Sequence, residues 1–244
     1  MRKLDYKVFT RRHRPHYQPL GGTLFVTFRL VGSIPKSVVR EYEAKKHWLE
    51  DQLRCAQDSV HNDDTPEFRN WLARVENFNR CWFMKFEDIL HRADCGPMWL
   101  QDERLAERVA ESLHRVDGIN YRLDAYSIMS NHVHTVFKLL LPKEFLLNIP
   151  EENSPTSLRS DYPGLSGIMH SIKGRSAREC NLLLSRTGEF WEHESFDHVI
   201  RPGKFGKTIR YVLNNPVKAR LVGDWRHWRW NYCRKELSDQ LNLS

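Results

Sequence analysis

Residues 121–140 read YRLDAYSIMSNHVHTVFKLL. β-branched and aromatic residues recur through this stretch, with one polar interruption at Ser130-Asn131. That pattern predicts two strands, 121–129 and 132–140, meeting at a short turn. A helix-like stretch precedes them at 101–115, with Leu105, Val109 and Leu113 on one stripe. Further upstream, TLFVTFRL at 23–30 follows a Gly21-Gly22 turn and reads as another strand. Downstream, 164–184 reads as a helix, 189–200 as strand-like, and 205–214 as a helix stopped by Pro216, because proline lacks the donor and clashes with the preceding turn. The resulting order of strands and helices predicts an α+β fold, a ferredoxin-like antiparallel sheet with helices.

One segment does not fit that plan. Residues 37–56 and 67–91 both read as helices, and HNDDTP at 61–66 breaks them apart. They predict a helical hairpin inserted after the first strand, at about 33–100. Its aromatics (Trp48, Phe68, Trp71, Phe78, Trp82, Phe83) supply an apolar face. The stretch 142–163 reads as a surface loop, and 223–244 as a basic C-terminal tail. The whole chain, 1–244, is expected to be one domain carrying this decoration.

The chain has 244 residues, 40% of them hydrophobic and 11% aromatic, enough for a substantial core. No apolar run approaches the roughly 20 residues of a membrane-spanning helix. The first twenty residues are basic but lack the apolar centre of a signal peptide. Five cysteines are scattered and never spaced C-x-x-C, so a reducing cytoplasm is expected. The net charge is +7, but it is unevenly placed. Residues 1–30 hold seven Lys/Arg against one acid, and 201–244 hold ten against three. Residues 31–200 hold 21 against 27, and much of that acidity is expected in the insertion. Basic ends favour a polyanion, nucleic acid first, over two merely solvated termini.

Two stretches hold groups able to do chemistry. His132 and His134 are two apart on a strand, so both imidazoles share a face. Such a pair is half of a metal site, or ordinary packing. Tyr211 and Asn215 are four apart on a helix and also share a face. A phenol is a nucleophile once its phenolate is favoured, and an amide oxygen is a hard ligand. The plainer alternative is a core tyrosine and a helix-stopping Asn before Pro216.

Taken together, SNHVH at 130–134, IRYVLNNPVKARLV at 209–222, GGTLFVTFRL at 21–30 and FWEHESFDHVIR at 190–201 resemble the IS200-like Y1 (HUH single-tyrosine) transposases, most nearly the REP-associated tyrosine transposases. The resemblance covers roughly 1–32 and 100–230. It departs from the family at Ser130, where Pro is usual, and at Arg220, where Gly is common; compact members also lack the insertion.

The resemblance implies that His132, His134 and Asn215 are ligands of a divalent cation, Mg²⁺ or Mn²⁺, and that Tyr211 is the nucleophile. It implies cleavage and transfer of single-stranded DNA through a 5′-phosphotyrosine, without ATP, on hairpins formed by palindromic repeats. Arg11, Arg12, Arg14, Lys173, Arg175, Arg201, Lys204, Lys207 and Arg210 are the expected phosphate contacts. Trp228 and Trp230 either stack on unpaired bases or pack in the core. A bacterial, cytoplasmic, nucleoid-associated protein is implied, with a homodimer among the arrangements allowed. Three other functions compete: a non-catalytic, domesticated hairpin-binding protein on the same scaffold, a phosphohydrolase using activated water, and an RNA-binding regulator.

Overall fold

The computed structural model describes residues 21–58, 66–140 and 164–241. The expected loop at 142–163, and Arg11, Arg12 and Arg14, lie outside them. The chain divides into two compact units. One holds 1–30 and 99–244, the other 31–98.

The larger unit is built on one antiparallel sheet. Its strands are β1 (Thr23–Arg29), β2 (Tyr121–Ile128), β3 (His132–Leu139), β4 (Phe196–Val199) and β5 (Asn231–Cys233). Their spatial order is β4-β1-β3-β2-β5. The first four strands have the 4-1-3-2 order of a ferredoxin-like sheet, with a helix crossing between β1 and β2 and another between β3 and β4. The alternation in the sequence explains the register. Leu24, Val26 and Phe28 of β1 stand opposite Phe137, Thr135 and Val133 of β3. Cross-strand partners share a face, and these six residues are all at most 1% exposed.

The crossing helices α3 (Glu103–His114) and α4 (Gly164–Leu183) cover that face. Asp102 caps α3 by accepting from the Arg104 backbone N–H at 3.0 Å. Leu105, Val109 and Leu113 then recur at four-residue steps and are fully buried. On α4, Leu165, Ile168, Met169 and Ile172 do the same. Phe28 meets Trp191 edge-on at 4.8 Å, and the Trp191 indole N–H donates to Ser176 Oγ of α4 at 3.0 Å.

The opposite face takes a shorter helix, α5 (Phe205–Leu213), which packs on β2, β3 and β5 through Ile209, Val212 and Leu213. A single turn, α6 (Asn215–Lys218), follows it. The region read as a tail is part of the sheet. Residues 225–227 form a 3₁₀ turn, β5 pairs with β2, and α7 (Lys235–Gln240) ends the description. Asp124, fully buried at a bulge of β2, pairs with Arg234, whose guanidinium also donates to Leu123 O at 2.9 Å. The strand-like reading of 189–200 shrinks to β4 plus a lone bridge from Leu30 to Trp191.

The smaller unit is the helical hairpin, α1 (Lys36–Asp58) and α2 (Pro66–Arg92). Tyr42 stacks on Phe78 at 5.6 Å and meets Trp82 and Phe86 edge-on. Glu41 joins Lys45 and Lys85 at 2.7 and 2.9 Å. Hydrogen bonds from those two ammoniums hold its carboxyl down to about 2. The unit closes where Gly96, at φ +75°, lies against Gly32; a Cβ on Gly96 would overlap the Gly32 carbonyl. Among the described residues, no helix is long and apolar enough to cross a membrane.

Candidate active site

The site forms where α5 packs against the face of β3 that carries His132 and His134. A hydrogen bond from Met129 N–H to His132 O, 2.8 Å, closes the β2–β3 hairpin at Ser130-Asn131. His132 and His134 then occupy alternate positions opposite Arg29 and Thr27 of β1. Both imidazoles are fully buried.

Their outer nitrogens are engaged. His132 Nδ1 lies 2.6 Å from Asn131 Oδ1, and His134 Nδ1 lies 2.8 Å from Thr27 Oγ1. A carboxamide oxygen only accepts, so His132 carries its proton on Nδ1 and its lone pair on Nε2. The two Nε2 atoms converge to 3.0 Å. In a neutral pair with that His132 tautomer, His134 Nε2–H can donate to His132 Nε2 and the Thr27 hydroxyl to His134 Nδ1.

Two imidazole nitrogens brought this close are the groups a divalent cation would take as ligands. The second-sphere oxygens of Asn131 and Thr27 are of the kind that fix ligand imidazoles.

Tyr211, half-buried on α5, brings its ring to 5.9 Å from that of His134, at 71°. Phe25 completes the wall. It stacks on His134 at 5.6 Å and meets Tyr211 edge-on at 5.9 Å and His198 at 5.1 Å. α5 packs on the sheet of its own chain, which sets the Tyr211 ring beside His134.

Asn215 is fully buried. The helix does not run through it: α5 ends at Leu213, and Asn215 opens the next turn with Pro216 behind it. Its Nδ2 donates to Tyr211 O at 2.8 Å and is 3.4 Å from Val212 O. The amide nitrogen therefore faces the helix. Lys218, at the end of α6, holds its ammonium over the Tyr211 ring, 3.8 Å from the centroid.

Of the basic residues expected to meet phosphate, Arg175, Arg210 and Lys173 have partners within the chain. Lys173 bridges two segments. Its ammonium donates to Glu192 O at 2.6 Å and His193 O at 2.8 Å, and lies 3.3 Å from Ser195 Oγ. Burial pulls its pKa down to about 8. It ties α4 to the segment before β4. Arg175 pairs with Glu179 along α4 at 2.9 Å, and Arg210 donates to Leu241 O at 2.9 Å. Arg201, Lys204 and Lys207 are exposed around the start of α5. Trp228 donates its indole N–H to Ile128 O at 3.0 Å, and Trp230 packs against the core.

Sequence reasoning passed over Thr27, Asn131, Phe25 and Lys218. Asn131 and Lys218 stand inside the two informative stretches, where their spacing to His132 and Tyr211 was a usable signal. Thr27 and Phe25 become visible only through the β1–β3 register.

No family model matches the chain, and no curated protein matches it. Among solved structures, the REP-associated tyrosine transposase bound to a REP hairpin is similar. The two are 14% identical, with 92% of this chain and 82% of that chain covered and a TM-score of 0.42. A likeness at this identity and TM-score says nothing about activity.

Proposed function

We propose that the chain is a metal-dependent strand transferase of the HUH single-tyrosine type, acting on single-stranded DNA that folds into hairpins. One observation carries this reading: two buried histidines converge their Nε2 atoms to 3.0 Å, with the ring of Tyr211 5.9 Å from one of them. The hairpin substrate rests on the sequence resemblance of the 130–134 and 209–222 stretches.

His132, His134 and the Asn215 amide oxygen are the groups that would hold the cation. When bound, Mg²⁺ or Mn²⁺ polarises a non-bridging oxygen of the scissile phosphate and offsets charge in the transition state. Tyr211 Oη attacks phosphorus and loses its proton to solvent. The P–O3′ bond breaks, and the departing 3′-oxygen takes a proton from water. The 5′ side stays on Tyr211 as a phosphodiester, and attack by another 3′-hydroxyl reverses the step without ATP. Phe25 walls one side of the tyrosine and the histidines, limiting water there. Arg201, Lys204 and Lys207 present a cationic surface at the start of the tyrosine helix for backbone phosphates.

The test uses an end-labelled single strand that folds into a palindromic hairpin, incubated with protein and Mn²⁺. The expected result is a protein–DNA adduct that survives denaturation, absent from Tyr211→Phe, while that variant still binds the hairpin. An adduct that persists in Tyr211→Phe, or cleavage without any adduct, would overturn the assignment. Cleavage without an adduct would identify a water-dependent phosphohydrolase, and hairpin binding without cleavage a domesticated binding protein.

A further inference from the structure

We propose that Lys218 is the electrostatic partner of Tyr211 in strand transfer, a positioning residue that aims the phenol and accompanies the charge it acquires. The inference rests on the strand-transfer reading and adds a residue to its chemistry.

The chain places this lysine by a definite local device. α5 stops at Leu213, and α6 restarts at Asn215 with Pro216 in its first turn. Lys218 N–H still donates to Asn214 O at 3.0 Å, and Ala219 N–H to Asn215 O at 2.9 Å. Arg220 N–H donates to Val217 O at 3.0 Å, and Leu221 N–H to Pro216 O at 2.9 Å, with Arg220 at φ +58°. Those two bonds and the left-handed residue are a Schellman closure. The turn is thus clamped at both ends. A long side chain on its last residue folds back over the preceding helix instead of following the chain outward.

The ammonium ends over the ring face, 3.8 Å from the centroid. There the π-cloud of a neutral phenol attracts it. Lys218 is exposed, while Tyr211 is half-buried. During the attack the phenol loses its proton to solvent and its oxygen bonds to phosphorus as the P–O3′ bond breaks. Negative charge then spreads over the phosphoryl oxygens beside the ring. Lys218 keeps its own proton throughout and follows that charge from the ring face. A preorganised cation of this kind stabilises the transition state more than the resting enzyme.

The test compares Lys218→Met, which keeps the stem and removes the charge, with Lys218→Arg, which keeps both a cation and a ring contact. Single-turnover adduct formation with Mn²⁺ and the labelled hairpin strand is measured beside equilibrium hairpin binding. Lys218→Met is expected to slow adduct formation by about 10–100-fold, with hairpin affinity within about twofold, and Lys218→Arg to recover to within about threefold of the parent. Equal rates for Lys218→Met and the parent would overturn the inference, as would a rate loss fully explained by weaker binding. A parent that forms no adduct at all overturns the strand-transfer reading instead. A second readout needs neither DNA nor metal. The ring current of Tyr211 is expected to shift the Lys218 Cε proton resonances upfield, and Tyr211→Leu to abolish the shift. Unchanged Lys218 resonances in Tyr211→Leu would overturn the geometry itself.

Discussion

Thr27 is a hydroxyl that serves the histidine pair in either state of its protons. Its Oγ1 lies 2.8 Å from His134 Nδ1 and can donate there or accept. Ligation requires a lone pair on both Nε2 atoms, so the His134 proton must then reside on Nδ1. Rotating the hydroxyl lets Thr27 accept that proton's hydrogen bond. Valine matches threonine in shape but does neither. Thr27→Val is therefore expected to weaken Mn²⁺ binding by roughly 10–100-fold, as loss of an outer-sphere partner generally does. Titration calorimetry with Mn²⁺ checks this, and thermal melting checks that the sheet survives. An unchanged affinity would mean that the Thr27 contact does not orient His134 as a ligand. The sequence made the histidines legible, because alternate spacing on a strand is a local rule. Thr27 was hidden because it lies 107 residues away from His134 and meets it only once β1 pairs with β3. Tyr211 was legible from its surrounding motif; helical spacing alone left it indistinguishable from a core tyrosine.

At the scale of elements, the turn after the tyrosine helix holds a residue poorly suited to its backbone. Arg220 occupies the left-handed position of the Schellman closure at φ +58°, where glycine has no Cβ to strain. The same position is where the resembled family commonly has Gly, so a departure noticed in the sequence has a physical meaning in the fold. Arg220 is exposed, and removing its side chain sacrifices little packing. Arg220→Gly is expected to stabilise the protein by about 0.5–1 kcal/mol, the left-handed strain relieved less the added chain entropy of glycine. A raised melting temperature by calorimetry is the check; a lower one would show that the arginine side chain compensates for its backbone. Element order was the most readable property of the chain, since periodicities of two and near four recur throughout it. The exception is β5. Its three residues follow an aromatic-basic run (Trp225, Arg226, His227, Trp228, Arg229, Trp230) that has no alternation. What makes it a strand is tertiary: pairing with β2 and the Arg234–Asp124 contact. The carbonyl partners of Lys173 were hidden for the same reason, since a segment about twenty residues away contributes them.

For the whole molecule, the charge arithmetic and the unit boundary bear on each other. Residues 31–98 hold ten Lys/Arg against twelve acids, so the inserted unit accounts for only two of the six excess acids between 31 and 200. Without it the chain would carry +9, against +7 with it. The acidity expected of the insertion is mostly elsewhere, and excision leaves the basic character of the larger unit intact. The backbone also favours excision. Leu30 N–H donates to Asn131 O at 2.8 Å, and Leu100 N–H donates to Ser130 O at 3.1 Å. The chain therefore leaves and re-enters the larger unit beside two consecutive residues of the β2–β3 turn. A gap so anchored at both ends suits a short Gly/Ser linker, and closing a shorter loop costs less chain entropy than closing a longer one. The larger unit has its own core of three layers, with α3 and α4 on one face of the sheet and α5 on the other. Replacing 31–98 by about four Gly/Ser residues is expected to leave a protein that unfolds cooperatively, with near-native helix and sheet signals from 21–30 and 99–241. Circular dichroism through a thermal or urea transition reads this directly. A broad, non-cooperative transition would show that the sheet needs the hairpin to fold.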